Sequence, residues 1–197
     1  RIWGGPSAPK EIRFDLPVVP VDWSSGNAFE ESNFERMRSE SLSEQPLLLM
    51  ILCAHCPFVK HLESELSRLE KEYRNRIQML GISSNSLITH PQDGPYYLAA
   101  QAKEAGWSFP YLLDLDQCFA KSLKAACTPD FFLFATSNGQ QKVLSYRGQF
   151  DDSRPGNNVK ANGFDLRAAM DAVLEGNQIS FEQKKRLIRF QINLMIT

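Results

Sequence analysis

The chain has 197 residues, 43% hydrophobic and 23% charged, with 22 basic against 23 acidic side chains and a formal net charge of −1. This is one soluble globular domain long enough for a sizeable core; the charge balance excludes general attraction to nucleic acid, and no apolar run reaches the length of a membrane span. Four cysteines are too few for a disulfide scaffold and favour catalytic thiols in a reducing compartment, so a cytoplasmic location is expected. No secretory leader stands at Arg1, a condition that a leader already removed would also produce.

In chain order, residues 1–46 read as an N-terminal arm and the first elements of the domain. The glycines and prolines before Lys10 make an irregular arm, and Leu16 to Asp22, interrupted by prolines, is at best an edge strand. Ser24 to Asn27 is a turn, and Phe29, Phe34 and Met37 are spaced for a short helix over 29–38. Residues 47–176 read as the core. The six apolar residues Leu47 to Leu52 suit a strand buried on both faces. From Phe58 to Tyr73 the apolar residues fall at helical spacing, with Pro57 in the first turn. A second buried strand covers Ile77 to Ile82, followed by a polar connection through His90, which reads as a surface residue. Tyr96 to Ala105 is a helix stopped by Gly106. Tyr111 to Leu113 is a short strand, and Asp114 to Ala126 a helix with Phe119 and Leu123 inward and Cys118 as a small buried hydrophobe. Phe131 to Ala135 is an apolar strand joined by a turn at Ser137-Asn-Gly139 to Lys142 to Arg147. A polar loop and a helix from Asp165 complete the core, and 177–197 is a divergent tail. Helices alternating with buried strands and a closing hairpin make an α/β domain.

The chemistry is concentrated in Cys53-Ala-His-Cys56. A strand, a dithiol and a helix start in that order put the thiols beside unpaired N–H groups and the positive end of a helix, which stabilise a thiolate. His55 between them would lower the thiol pKa further and make the pair a better oxidant. A Cys-x-x-Cys is also half of many zinc sites, but Cys118, Cys127, His61 and His90 do not supply the usual second half. Inert buried thiols are the third reading.

The segments Cys53 to Lys60, Gly81-Ile-Ser-Ser-Asn85, Phe109 to Asp114, Ala126 to Phe134 and Tyr146 to Gly156 together resemble the peroxiredoxin-like (AhpC/TSA-like) branch of redoxin-domain proteins. The resemblance implies a thioredoxin-like fold, a central mixed β-sheet flanked by helices, with Cys53 and Cys56 as the dithiol. It also implies a cis-proline at Pro129 facing the pair, with the backbone of Thr128 offered as an edge to a substrate thiol or peptide. Cys127 would then lie near the dithiol as a candidate accessory thiol, and Arg147 and Arg154 are candidates for an electropositive lining. Two departures stand out. Peroxiredoxins proper carry Pro-x-x-x-Thr-x-x-Cys, and here Leu49 and Cys53 occupy the proline and threonine positions ahead of Cys56. The tail, Phe181 to Thr197, has no cysteine; a packed terminus is preferred for it over a dimer or membrane surface.

The function expected is thiol–disulfide exchange, with Cys53 attacking and Cys56 resolving, on a protein or small-molecule disulfide or thiol. A weak thiol peroxidase and a redox-inactive or metal-holding module stand behind it. No cofactor or metal is expected, nor a nucleic-acid partner; a homodimer is among the expected associations.

Overall fold

The computed structural model describes residues 11–23, 31–138 and 141–179. Its centre is a five-stranded sheet in the order β5-β4-β3-β6-β7, built from β3 (Leu47–Ile51), β4 (Gln78–Ser83), β5 (Tyr111–Leu113), β6 (Asp130–Ser137) and β7 (Gln141–Gly148). β3 runs parallel to β4 and β4 to β5, whereas β6 is antiparallel to both β3 and β7, so the sheet is mixed. Every residue of β3 has 0% exposure, the burial a continuous apolar run signals when both faces of a strand are covered. Alternate residues serve opposite faces. Leu48, Met50 and Leu52 pack with α2 (Glu63–Tyr73), α3 (Pro95–Ala105) and α5 (Phe164–Leu174), whose inward residues include Leu66, Leu98 and Leu166. Leu47, Leu49 and Ile51 pack on the other face with Phe14, Leu16 and Phe119. Each such leucine contributes about 1.5–3 kcal/mol by leaving water.

The region before β3 differs from the expected helix. Glu31–Asn33 is a single 3-10 turn, and Arg36–Arg38 is strand β2, antiparallel to β1 (Asp15–Pro17). Asp15 explains the choice: its carboxylate meets Arg36 at 2.6 Å and Arg38 at 3.2 Å, two residues apart and therefore on one side of a strand. The edge reading of the proline-broken segment holds, since Val18 bridges to Leu112 and the Val19 N–H donates to the Tyr111 carbonyl at 2.8 Å. The expected turn at Ser24 to Asn27, the arm before Lys10 and the tail from Phe181 lie outside the described residues.

Two helices are shorter than their apolar spacing suggests. After Cys56 the chain forms α1 (Pro57–Lys60), lapses at His61 and Leu62, and resumes as α2. The Leu62 N–H reaches the Val59 carbonyl at 2.9 Å, the tighter 3-10 spacing, and both residues enter the core. Instead of spanning 114–126, α4 covers Cys118–Ser122. The buried Asp114 carboxylate lies outside it and accepts the Phe119 and Ala120 N–H groups at 3.2 and 2.8 Å, and Gln117 and Lys124 at its ends take positive φ. Cys118 is consequently exposed rather than buried, at the first position of a short helix whose inward residues are Phe119 and Ala120.

Gly148 at the end of β7 packs against Tyr146, which is 1% exposed and donates to the Gln149 carbonyl at 2.6 Å. A Cβ at this position would stand 2.5 Å from the Tyr146 hydroxyl, and a fully packed ring has nowhere to move. Gly148→Ala is expected to destabilise the fold by about 1–3 kcal/mol, read as a lower denaturant midpoint at unchanged slope.

Candidate functional site: a buried dithiol

β3 delivers Cys53 two residues past its end, and Cys56 follows as the residue that caps α1. Pro57 occupies the first helical position, where its missing N–H costs nothing. Both sulfurs sit in the helix-covered core, and both cysteines are 0% exposed. Neither thiol is therefore the more exposed, because the apolar strand that carries Cys53 is itself covered on both faces.

Thr128, just before the neighbouring strand β6, closes the site from the same edge of the sheet. The Thr128–Pro129 bond is cis, as the resemblance implies. The Thr128 hydroxyl is 3.3 Å from Cys53 Sγ, and the Thr128 carbonyl is 3.4 Å from Cys56 Sγ, within reach of an S–H donor. Thus Cys53, Cys56 and Thr128, from two distant segments, form one cluster, with Pro129 holding its edge.

The two thiols are pushed in opposite directions. Cys53 donates to Cys56, and this bond above all drives the Cys53 pKa up; burial and the negative charge of Asp93 add to it. The same bond, followed by the Thr128 hydroxyl and the Val59 and Phe58 N–H groups, lowers Cys56 to about 5 against the opposing effect of burial. α1 is four residues long, so the helix contribution anticipated from the sequence amounts to two backbone N–H groups rather than a long macrodipole.

The His55 ring is engaged by Asp93 and His90. Its Nδ1 lies 2.7 Å from Asp93 Oδ2, and its ring stacks on His90 at 4.9 Å between centroids. Asp93 is 0% exposed and accepts further N–H groups from Ala54 at 2.8 Å, His55 at 3.2 Å and the Asn85 amide at 2.8 Å. Behind Cys53, Gln101 Nε2 donates to its carbonyl at 3.2 Å and to Glu63 at 2.8 Å, while Tyr111 donates to Gln101 Oε1 at 3.1 Å. Burial raises the Tyr111 phenol, reinforced by the charges of Cys53, Asp93 and Glu63, so it stays a donor. Sequence reasoning read the stretch holding Asp93 and His90 as a polar connection, with His90 at the surface. An acid between Gln92 and Gly94-Pro95 carries no periodicity, and only the fold returns that loop to the Cys53–Cys56 segment.

The other candidates have partners of their own. Cys127 is buried with its Sγ 3.8 Å from the Pro129 carbonyl. Arg147 reaches Asp130 at 2.9 Å and the Lys124 carbonyl at 2.8 Å and lies over the Phe132 ring, on the sheet face opposite the dithiol, so it does not line the site. Arg154 pins its own loop through the carbonyls of Asp151 and Ser153, each at 2.6 Å.

Cys53 Sγ, a His55 ring nitrogen and an Asp93 oxygen lie within 4.8 Å of one another, the one such donor group among the described residues. They suit a metal poorly. Nδ1 and Oδ2 are spent on each other and Oδ1 on two backbone N–H groups, so coordination would dismantle the loop's anchorage. Beside His55 a cleft of about 300 Å³, lined by Lys60, Glu63, Tyr97 and Gln101 among others, opens toward Ala54. A larger hollow of about 640 Å³ lies between Glu11, Leu42 and Lys142, on none of the residues just described.

Comparison with known proteins places this geometry. The AhpC/TSA family model matches residues 24–150. No curated protein matches in sequence. Among solved structures, an uncharacterised conserved protein of Geobacillus kaustophilus is 38% identical with a TM-score of 0.77, covering 91% of this chain and 87% of its own. A hypothetical protein of Sinorhizobium meliloti 1021 is 32% identical with a TM-score of 0.79, covering 94% and 92%. A secreted disulfide oxidoreductase of Mycobacterium tuberculosis, 12% identical with a TM-score of 0.57 over 82% of this chain and 96% of its own, shares the fold.

The Cys53–Asp93 geometry gives a checkable expectation for Asn85. Its amide is buried against Asp93 while its own Oδ1 has no partner among the described residues. Asn85→Ala is expected to cost about 1–3 kcal/mol and to raise the Cys56 titration little, read by thermal unfolding and by thiolate absorbance. With a thioredoxin-like sheet, a paired Cys53 and Cys56 at its centre and a family model spanning most of its length, this chain belongs to the AhpC/TSA family of redoxins.

Proposed function

We propose that the protein is a thiol–disulfide oxidoreductase whose attacking group is Cys56. The observation that carries this reading is the placement of the pair: Cys53 and Cys56 are buried together against Thr128, at 3.3 and 3.4 Å, where α1 begins. In the reducing direction the Cys56 thiolate attacks a substrate disulfide, forming a mixed disulfide and releasing one substrate thiolate. Cys53 then attacks Cys56 Sγ, releasing the second substrate thiolate and leaving a Cys53–Cys56 disulfide; the reverse sequence oxidises. This reverses the order of the two cysteines expected from the sequence. Equal burial removes the argument from exposure, and the neighbouring charges favour Cys56.

A buried dithiol needs the surface to open for a protein disulfide to reach it, and the cleft at Ala54 and His55 lies at that point. The Thr128 backbone beside the pair supports docking of an extended segment there. A second reading, favoured by the family match, is a weak peroxidase in which one cysteine becomes a sulfenic acid and the other closes the disulfide. Peroxide turnover faster than disulfide turnover would put that reading first.

Thiolate absorbance of the reduced protein is expected to rise in one step near pH 5, the value to which Cys56 is lowered. The reactive fraction thus grows as pH rises through that value and stays full above it. Cys56→Ser should remove the step, and Cys53→Ala should move it upward by removing the S–H donor. Because Cys53 keeps its proton, reduction takes up two electrons and one proton at neutral pH. The midpoint potential should fall by about 30 mV per pH unit there, against about 59 mV for a pair that takes up two protons. A two-proton slope with no absorbance step near pH 5 would sink the assignment.

A further inference from the structure

A disulfide has to be recognised before it is exchanged, and two hollows with charged walls differ in what their charges do. In the larger, between Glu11, Leu42 and Lys142, the charges serve the protein itself. Arg13 pairs with Glu11 at 2.9 Å, and the Lys142 ammonium donates to the Ser43 and Gln45 carbonyls at 2.8 and 2.6 Å. The cleft of about 300 Å³ beside the dithiol is of the other kind.

Ala54 and His55, the two residues between the cysteines, line this cleft, so it abuts the dithiol segment itself. Lys60 reaches it from the last turn of α1 and Glu104 from α3. Both are exposed, and among the described residues neither makes a hydrogen bond or an ion pair, with the other or with a third group. Two opposite charges thus line one cleft from different helices, with space between them and no protein group bridging it. The remaining polar groups are already satisfied: Gln101 bridges Glu63 at 2.8 Å and the Cys53 carbonyl at 3.2 Å. Tyr97, half-exposed, adds an aromatic surface beside the two charges.

We propose that this cleft selects a low-molecular-weight disulfide whose halves end in a free α-ammonium and α-carboxylate, the carboxylate held by Lys60 and the ammonium by Glu104. The inference rests on the exchange reading and names its substrate class. A volume of about 300 Å³ is at the low end for ligand clefts and suits an amino-acid end rather than a folded surface. Inside a protein chain, the nitrogen and carbonyl of a cysteine are uncharged amides. Only the free amino acid carries both charges on one carbon, so a pair of opposite charges separates the small disulfide from a protein one. The Tyr97 ring suits the sulfur-bearing part, since sulfur packs well at aromatic edges. Exposed charge pairs are individually weak and screened by salt, so the cleft ranks disulfides by rate rather than binding any of them tightly.

With such a substrate the exchange balances without a further reactant. The Cys56 thiolate bonds to one substrate sulfur, the substrate S–S bond breaks, and the first half leaves as a thiolate. Cys53 then bonds to Cys56 Sγ, the Cys56–substrate bond breaks, and the second half leaves. The proton given up by Cys53 ends on one of the two released thiolates. Two electrons pass from the dithiol to the substrate.

Four related disulfides make suitable probes. Cystine carries both charges, cystamine lacks the carboxylates, diacetylcystine lacks the ammonium groups, and diacetylcystamine is neutral. The reduced full chain carrying Cys118→Ser, to silence the exposed thiol, is mixed with each at neutral pH and low salt. Formation of the Cys53–Cys56 disulfide is followed by mass. Each rate is divided by that with the neutral probe in the same chain, so a general change in thiol reactivity cancels. Relative to its ratio in Lys60→Gln and Glu104→Gln chains, the cystine ratio of the unaltered cleft is expected to be about threefold higher, and to shrink at high salt. Lys60→Gln should also lower the diacetylcystine ratio, and Glu104→Gln the cystamine ratio, each by about threefold. Equal rates for all four probes, or a cystine ratio that survives in either variant, would overturn the proposal. A singly charged probe as fast as cystine would overturn it too, in favour of a peptide terminus. If none of the four oxidises the pair, the exchange reading beneath it fails instead.

Discussion

A sulfur without access to water can hold a negative charge only if neighbouring atoms donate to it, and the site is built around that requirement. Water is excluded by β3, whose covered faces bring Cys53 and Cys56 into the core. Donors must then come from the protein, and they do: the Cys53 S–H, the Thr128 hydroxyl and two backbone N–H groups beyond Pro57. The low dielectric that strengthens those bonds also strengthens the repulsion between Asp93 and Cys53. The outcome is a dithiol with a definite polarity rather than two equivalent thiols.

This polarity depends on segments far apart in the chain. The Cys53–Cys56 segment leaves β3, Thr128 precedes β6, and Asp93 comes from the loop before α3. β3 pairs directly with both β4 and β6, so three connections converge at one edge of the sheet. Asp93 then fastens its loop to the dithiol segment through Ala54 and His55, and Gln101 does the same from α3 through the Cys53 carbonyl. A helix, a loop and a strand end are thereby fixed relative to two sulfurs.

Much of this was legible in the sequence. An unbroken apolar run is sufficient to announce a covered strand, and Leu47 to Leu52 and Phe131 to Ala135 did so. Helical spacing placed Val59, Leu66, Leu69 and Leu166 correctly in the core. Where spacing misled, a side chain had intervened: Asp15 drew Arg36 and Arg38 into a strand, and Asp114 capped α4 from outside and shortened it. Arg147 was read by charge alone, but Asp130 and the Phe132 ring claim it. Asp93 could not be found from one sequence, because its role comes from a loop returning across the sheet edge and not from its neighbours.

The exposed Cys118 gives the clearest contrast. Its thiol sits in solvent, yet the Asp116 carboxylate that accepts its S–H, and repels its anion, holds its pKa above the ordinary value. Accessibility and nucleophilicity therefore run in opposite directions in this molecule. The sulfur that any passing electrophile can touch is kept quiet, while the sulfur that is charged is walled off. On the proposed reading, an oxidant in solution would meet Cys118 first and the buried pair only where the surface opens.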